Sequence, residues 1–551
     1  MMGTNLTDTT ALSRRLGKRK EVHTRRLSFA WFILLWGLLA SVWATDTRDD
    51  KKNFQHEVYR RCDLSKSPFF AVSYNESIIF SALDRQKFED NHTTLLRRAL
   101  ATCNEIIIPA HLTLLTGPFN LTSHQVLTVD GTLMASSNRS RFPFVAPVLG
   151  YGWSNDQNCF LPSQSKHKIV VGALRYAPVI GSFYSQNITI RGTGVIDGSG
   201  WDWWDNCTTC HSESRHAVNS QSPLQTNESF CLHASRPKLV EMQFVTGFSI
   251  HGGHNRYSGT SSPPLTLANS PFWTITPHYS QDIFVSNLRI VAPGRVGNTD
   301  GCNLDSCRNA ILQHLYITNG DDGIALKSGL NGFGLNLAIP TENVWIDNVT
   351  TTSDGRGGLA IGSEMSGGIR NVTFRNCRLL GERGIIFKPS VGRGGYIDNI
   401  MFQSVVSPNK VKFYIGHDGV PLMPNNSYVP LVSNIRFENV SHVDLVHGFS
   451  ACFQANQSKC FNITSDDGQQ SPWKELLPSP RHFSCKTHAK TMYEGTIPLP
   501  WPVCIPQDSP VNLRPDYPNW GPTKGIYSSL QDCQVACKFD SSHHPPILDA
   551  S

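Results

Sequence analysis

Charge is scarce in this chain: only 17% of its 551 residues are Asp, Glu, Lys or Arg. That low fraction, beside 43 glycines and 33 prolines, excludes a solvated disordered polymer and indicates an ordered, turn-rich protein. Net charge is scarcer still. Of the formal +6, residues 1–44 hold +5, with seven Lys and Arg against Asp8 and Glu21, which leaves about +1 for the remainder. No bulk field is present to attract a polyanion, so capture of an acidic polymer falls to local residues. A basic stripe interleaved with aromatics is also lacking, so nothing points to nucleic acid as a partner. Between the repeated segments of the middle of the chain there is no helical periodicity, and Cys207, Cys210 and Cys231 have no fourth ligand at a zinc spacing.

A strongly basic stretch, Arg14 to Arg26, precedes the apolar run LSFAWFILLWGLLASVWA at 27–44. Residues 1–44 are expected to be a signal peptide cut near Ala44, since Val42 and Ala44 offer small residues and the run is short for a spanning helix. The alternative is a signal anchor in residues 27–44, the basic side remaining cytoplasmic. Fifteen cysteines lie beyond this leader, among sequons at Asn75, Asn91, Asn120, Asn187, Asn348, Asn371, Asn439 and Asn462. Both features predict the secretory route, with glycans and disulfides, and an odd cysteine count leaves at least one thiol outside an intrachain pair.

The middle of the chain repeats one phrase: QNITIRG at 186, QDIFVSNLRI at 281, RNAILQHLYI at 308, ENVWIDNVT at 342, RNVTFRNCRL at 370, DNIMFQSVV at 398 and SNIRFENVS at 433. Each opens on a polar residue, usually Asn, and alternates apolar and polar positions, the period of a half-buried strand. Asp282 to Asn309 is 27 residues, and Asn343 to Asn371 and Asn371 to Asn399 are 28 each. Short strands at this period predict an all-β solenoid of parallel strands over residues 45–475. Segments 202–235 and 251–264 interrupt the period and are expected as rim insertions that close one end of a groove and favour exo action. Residues 476–551 lose the repeat and form a Cys- and Pro-rich C-terminal extension.

Two acidic turns stand about one coil apart: GNTDG, with Asp300, and NGDDG, with Asp321 and Asp322, 21 residues further on from Asp300 to Asp321. A turn alone explains one such motif. It does not explain two in stacked register, and three converging carboxylates raise the proton affinity of at least one of them. An acid beside an ionised base is what glycosidic hydrolysis requires. Calcium binding is the rival use of clustered aspartates.

These motifs, with GLAIGSEMSGG and GIIFKPSVGRGGYI following in order and IDGSGWDWW, RPKLVE and NSPFWTI in support, resemble glycoside hydrolase family 28, the polygalacturonases, and especially their plant-type branch. The likeness covers roughly residues 60–445. It implies a right-handed parallel β-helix that hydrolyses α-1,4-linked galacturonate by inversion. By position, Asp321 matches the general acid, Asp300 and Asp322 hold the attacking water, and no metal or other cofactor is needed. The implied partner is an acidic polysaccharide, met by a monomer at the cell wall or outside the cell, free of the membrane once the leader is cut.

The chain departs from the family twice. Gly357 or Gly358 stands where many members have His. The Arg-Ile-Lys phrase that grips a substrate carboxylate reads Ile386, Phe387, Lys388, and an aliphatic side chain makes no bidentate pair with a uronate. Lys388, Lys327, Arg393 and Asn298 are the expected substrate-binding residues, with Arg383 a further cation within reach. Trp201, Trp203, Trp204 and His278 are expected to be structural. The departures keep open a second reading, a catalytically weak uronate-binding β-helix of the cell wall. A lyase ranks last, because no lyase base is evident.

Overall fold

In this computed structural model the described residues are 59–66, 82–145, 148, 151, 175–204, 236–256, 259–294, 296–330, 334, 335, 337–352, 357–389, 393–409, 411–413, 430–443 and the strands 459–465, 483–490, 496–506 and 523–527. The leader 1–44, Asn75, Cys207, Cys210 and Cys231 lie outside them. Among the described residues no helix is long and apolar enough to cross a membrane.

The repeated phrase folds as expected into stacked parallel strands. One sheet of nine strands runs from Phe119–Asn120 through Ile180–Phe183, Val240–Gln243, Ile275–His278, Cys302–Asp305, Ile324–Lys327, Leu359–Gly362 and Ile385–Lys388 to Lys412–Phe413. The long strands Gln281–Val291, Arg308–Thr318, Thr341–Thr352, Tyr396–Val405 and Leu431–Val440 belong to the facing seventeen-stranded sheet. The architecture is a right-handed parallel β-helix. The three described strands of the C-terminal extension instead pair antiparallel with one another.

The Asn that opens each phrase has a backbone reason. Asn187, Asp282, Asn309, Asn343, Asn371, Asn399 and Asn434 all hold φ between 54° and 58°. That left-handed conformation is one Asn and Asp tolerate better than β-branched residues. Their amides join the rungs: Asn343 donates to Asn309 at 3.2 Å, Asn371 to Asn343 at 3.2 Å and Asn399 to Asn371 at 2.9 Å.

Inside the coil, one continuous core buries the inward positions of both sheets, including Ile275, Cys302, Ile324, Leu359 and Ile385. Cys302, Cys307 and Cys377 are buried thiols, and the expected disulfide chemistry is seen at Cys62–Cys103. A helix that the repeat pattern does not announce, α1 (Ala82–Thr102), joins the same core through Leu96 and Ala99. His92 of α1 accepts from the Leu115 amide at 3.1 Å, and burial pushes its pKa down to about 4, consistent with a neutral acceptor. Further along, Phe374, Phe402 and Phe437 stack at 4.7 and 5.1 Å, with Phe387 edge-on to Phe402. Phe402→Ala is expected to cost about 3–5 kcal/mol, read as a lowered denaturant midpoint. A change under about 1 kcal/mol would mean that the core there is not close-packed.

Candidate active site

Register brings the acidic turns together. Val240, Ile275, Cys302, Ile324, Leu359 and Ile385 are paired partners that begin six successive strands of the nine-stranded sheet. Two residues ahead of each stand, in order, Lys238, Trp273, Asp300, Asp322, Gly357 and Arg383. Successive rungs lie about 4.8 Å apart. The column therefore reads cation, aromatic, acid, acid, no side chain, cation. Asp321 precedes Asp322 and joins the pair.

The turns are locked from below. Asn319, fully buried, donates to the Thr299 and Asp322 carbonyls at 2.9 and 2.8 Å, and the Gly320 amide donates to Thr299 Oγ1 at 2.9 Å. Gly320 is required by close approach, since a Cβ there would meet the Val296 carbonyl oxygen at 1.9 Å. The Asn298 amide donates to Asp321 Oδ2 at 3.0 Å, and Arg236 fixes the neighbouring Gly297 carbonyl at 2.7 Å. Asn298 thus touches the doublet through its backbone.

The three carboxylates occupy different electrostatic environments. Burial and the charge of Asp321 push Asp300 up to about 8, and Asn303 donates to its Oδ2 at 3.0 Å. Burial would also raise Asp322, but Lys388, donating at 2.7 Å, and Arg383 outweigh it and hold Asp322 below the usual carboxylate range. A proton is thus favoured on Asp300 and a charge on Asp322, its neighbour one rung on. The raised proton affinity lies on Asp300, whereas the resemblance implies Asp321 as the acid. Asp321 is the most exposed of the three, at 6% against 3% for Asp300 and 2% for Asp322.

The expected cations are all drawn in, and none is a solvated strand charge. Lys327 donates to Glu364 at 2.8 Å and lies 4.6 Å from the Trp273 ring. Lys388 belongs to Asp322. Arg393, 4% exposed, acts on Glu364, which burial alone would raise but which Lys327 and Arg393 hold at about 2. Trp273, Glu364 and Lys238 are parts of the site that pattern reading did not assign. NSPFWTI and GSEMSGG carried the signal, but only the register shows which of their residues reach the column. Arg383 is also in the column and touches Asp321 and Asp322 through Nη1 at 3.6 and 3.5 Å.

Other candidates are structural. Trp203 and Trp204 are buried, and the exposed Trp201 lies edge-on to Trp204. His278 is buried between Glu241 and Asp305 at 3.3 and 3.1 Å. The insertion at 251–264 does not close the groove as expected: it links Thr246–Gly252 to Leu265–Ala268, both in the facing sheet, where Arg256 covers Phe284. Most of 202–235 lies outside the described residues. Elsewhere on the nine-stranded sheet Arg175 pairs with Glu241 and Tyr151 donates to Asp305. Among the described residues no group of three or more His, Cys, Asp and Glu is arranged to hold a metal.

A model of the glycosyl hydrolases family 28 matches residues 102–469, which contain the whole column. The chain belongs to this family. A probable polygalacturonase of Vitis vinifera is 32% identical over 322 residues, 58% of this chain and 56% of that protein. Polygalacturonase QRT2 of Arabidopsis thaliana is 26% identical over 46% of this chain and 50% of its own length. The chain therefore spans about half the length of these curated plant relatives. Among solved structures, a hyperthermoactive exopolygalacturonase from Thermotoga maritima superposes with a TM-score of 0.53 at 23% identity, over 69% of this chain and 80% of that one, which shows a shared fold.

Proposed function

We propose that this family 28 glycoside hydrolase cleaves α-1,4-galacturonosidic bonds of a pectin-type polymer with inversion, using Asp321, Asp300 and Asp322. The observation that carries the reading is the column itself, in which buried carboxylates on adjacent rungs have cations on either side. The carboxylates supply acid and base. Lys388, Lys327, Arg393 and Asn298 form the surrounding substrate site, with the cations offsetting the charge that a polyuronate brings.

In the proposed reaction Asp321, the most exposed carboxyl, donates a proton to the departing sugar oxygen. The resting proton of the cluster belongs to the coupled set and is held mainly on Asp300. In the proposed step Asp300 passes its proton to Asp321, which gives it to the departing oxygen, and Asp300 and Asp322, both then ionised, take a proton from the attacking water on the opposite face. Inversion requires acid and base roughly 6.5–9.5 Å apart, leaving room for that water.

A pure binding role fits the column poorly, because a polyuronate binder gains nothing from three carboxylates in its groove. We further propose secretion to the cell wall, removal of residues 1–44, a β-helix domain over 45–475 with the extension 476–551 as a separate segment, and a monomeric state. The disulfide and the exposed sequon residues Asn91, Asn120, Asn187, Asn348 and Asn439 support the secretory route. The deciding experiment incubates the secreted chain with polygalacturonate and with defined pectic oligosaccharides. Release of reducing ends from galacturonate-containing members supports the reading. Binding without release would favour the binder, and products absorbing as unsaturated uronates would indicate a lyase.

A further inference from the structure

The site contains a rung without a side chain. Gly357 and Gly358 hold φ of 32° and 159°, and a Cβ on Gly358 would meet the Arg383 and Gly384 carbonyl oxygens at 2.2 and 2.4 Å. The backbone is packed closely at Gly358, and the column residue Gly357 has no side chain, so no column side chain stands between Asp322 and Arg383. Ile386, where a carboxylate-gripping arginine is absent, lies fully buried in the floor and offers no charge.

We propose that Arg383 reads the carboxylate of the substrate uronate, reaching back across the Gly357 rung, which has no side chain, to sit beside the aspartate doublet and so replacing the arginine absent at Ile386. This rests on the uronate-hydrolase reading of the same site. Three observations separate Arg383 from the other cations. Lys388 is committed to Asp322 at 2.7 Å and Lys327 to Glu364 at 2.8 Å. Arg383 stands at the looser distances of 3.5 and 3.6 Å from its two carboxylates, both through Nη1. Its side chain is 21% exposed, against 10% for Lys388 and 5% for Lys327.

A guanidinium has five N–H donors in a planar fork, and among the described residues only Nη1 is directed at a side-chain carboxylate. In the proposed complex a uronate carboxylate over the Gly357 rung takes two of the other donors in parallel. A sugar seated there lies next to the doublet on the side away from Trp273. Its carboxylate supplies the geometry that a neutral or esterified sugar does not.

The test compares the wild-type chain, Arg383→Ala and Arg383→Lys on polygalacturonate and on highly methyl-esterified pectin. For Arg383→Ala the loss in kcat/KM on polygalacturonate is expected to exceed the loss on the ester by about 20-fold, mostly through KM, because only the free carboxylate uses the fork, whereas the effect on the charge of Asp322 falls on both substrates alike. Arg383→Lys is expected to recover part of the loss, since a point charge replaces a bidentate pair. Equal losses on both substrates would show that Arg383 only orders the doublet, and no loss would remove it from the site; either overturns the proposal. A wild-type chain inactive on both substrates would overturn the hydrolase reading instead. Calorimetric binding of trigalacturonate to wild type and Arg383→Ala then still decides the arginine's role: about 100-fold weaker binding upholds it and unchanged binding refutes it.

Discussion

Asp321→Asn is expected to lower kcat on polygalacturonate by about 10²–10⁴-fold while leaving the fold intact. The substituted amide keeps an oxygen to accept the Asn298 N–H, and the turn is locked by Asn319, Thr299 and Gly320 rather than by the carboxylate. What the variant loses is a proton to give to the leaving oxygen. KM should move little, because the cations of the site remain. Reducing-end release and thermal unfolding, measured on the same preparation, separate the two effects. Turnover within tenfold of wild type would remove Asp321 from the role of acid.

Asp300→Asn is expected to abolish turnover to a similar degree and, at neutral pH, to make the protein more stable. Burial lifts the folded-state pKa of Asp300 from 3.8 to about 8. Between those values the unfolded chain has lost the proton that the native chain retains. The native state then binds more protons than the unfolded one, so stability falls as pH rises through that window. A neutral amide has no such cost, and it copies the shape of the protonated acid while accepting from Asn303. The gain should be absent near pH 3.5 and grow to on the order of 1–3 kcal/mol by pH 8. Denaturant unfolding at both pH values reads it. A variant less stable than wild type at pH 8 would show that Asp300 is ionised in the resting site. Catalytic residues that strain their surroundings give this pattern of higher stability with lost function.

Much of this was legible in the sequence for physical reasons. Stacking makes the strand phrase recur once per coil, at 28 residues where the loops are short, and the Asn at the head of each phrase suits a left-handed backbone angle, so both survive as spelling. The acidic turns GNTDG and NGDDG were legible because a single-coil spacing puts Asp300 and Asp322 on neighbouring rungs. Trp273, Glu364 and the reach of Arg383 were not, since each depends on register across strands whose connecting loops differ in length. Helix α1 was missed because a repeat search reports only what recurs. The location of the proton was not legible either, for it depends on how many cations reach each carboxylate. Asp322 has Lys388 and Arg383, whereas Asp300 faces Asp321 in a dry setting. The insertion at 251–264 was expected at the groove because it breaks the period, but a broken period does not say which sheet bears the loop.

Hydrolysis by carboxylates placed on opposite faces of the scissile bond has one direct readout, the anomeric form of the first sugar released. Proton NMR of an α-1,4-linked oligogalacturonide, followed from the first seconds after addition of the full chain, should show the β-anomer appearing before mutarotation brings in the α. Initial appearance of the α-anomer would mean a retained configuration, and with it a mechanism that the arrangement of Asp300, Asp321 and Asp322 proposed here does not perform.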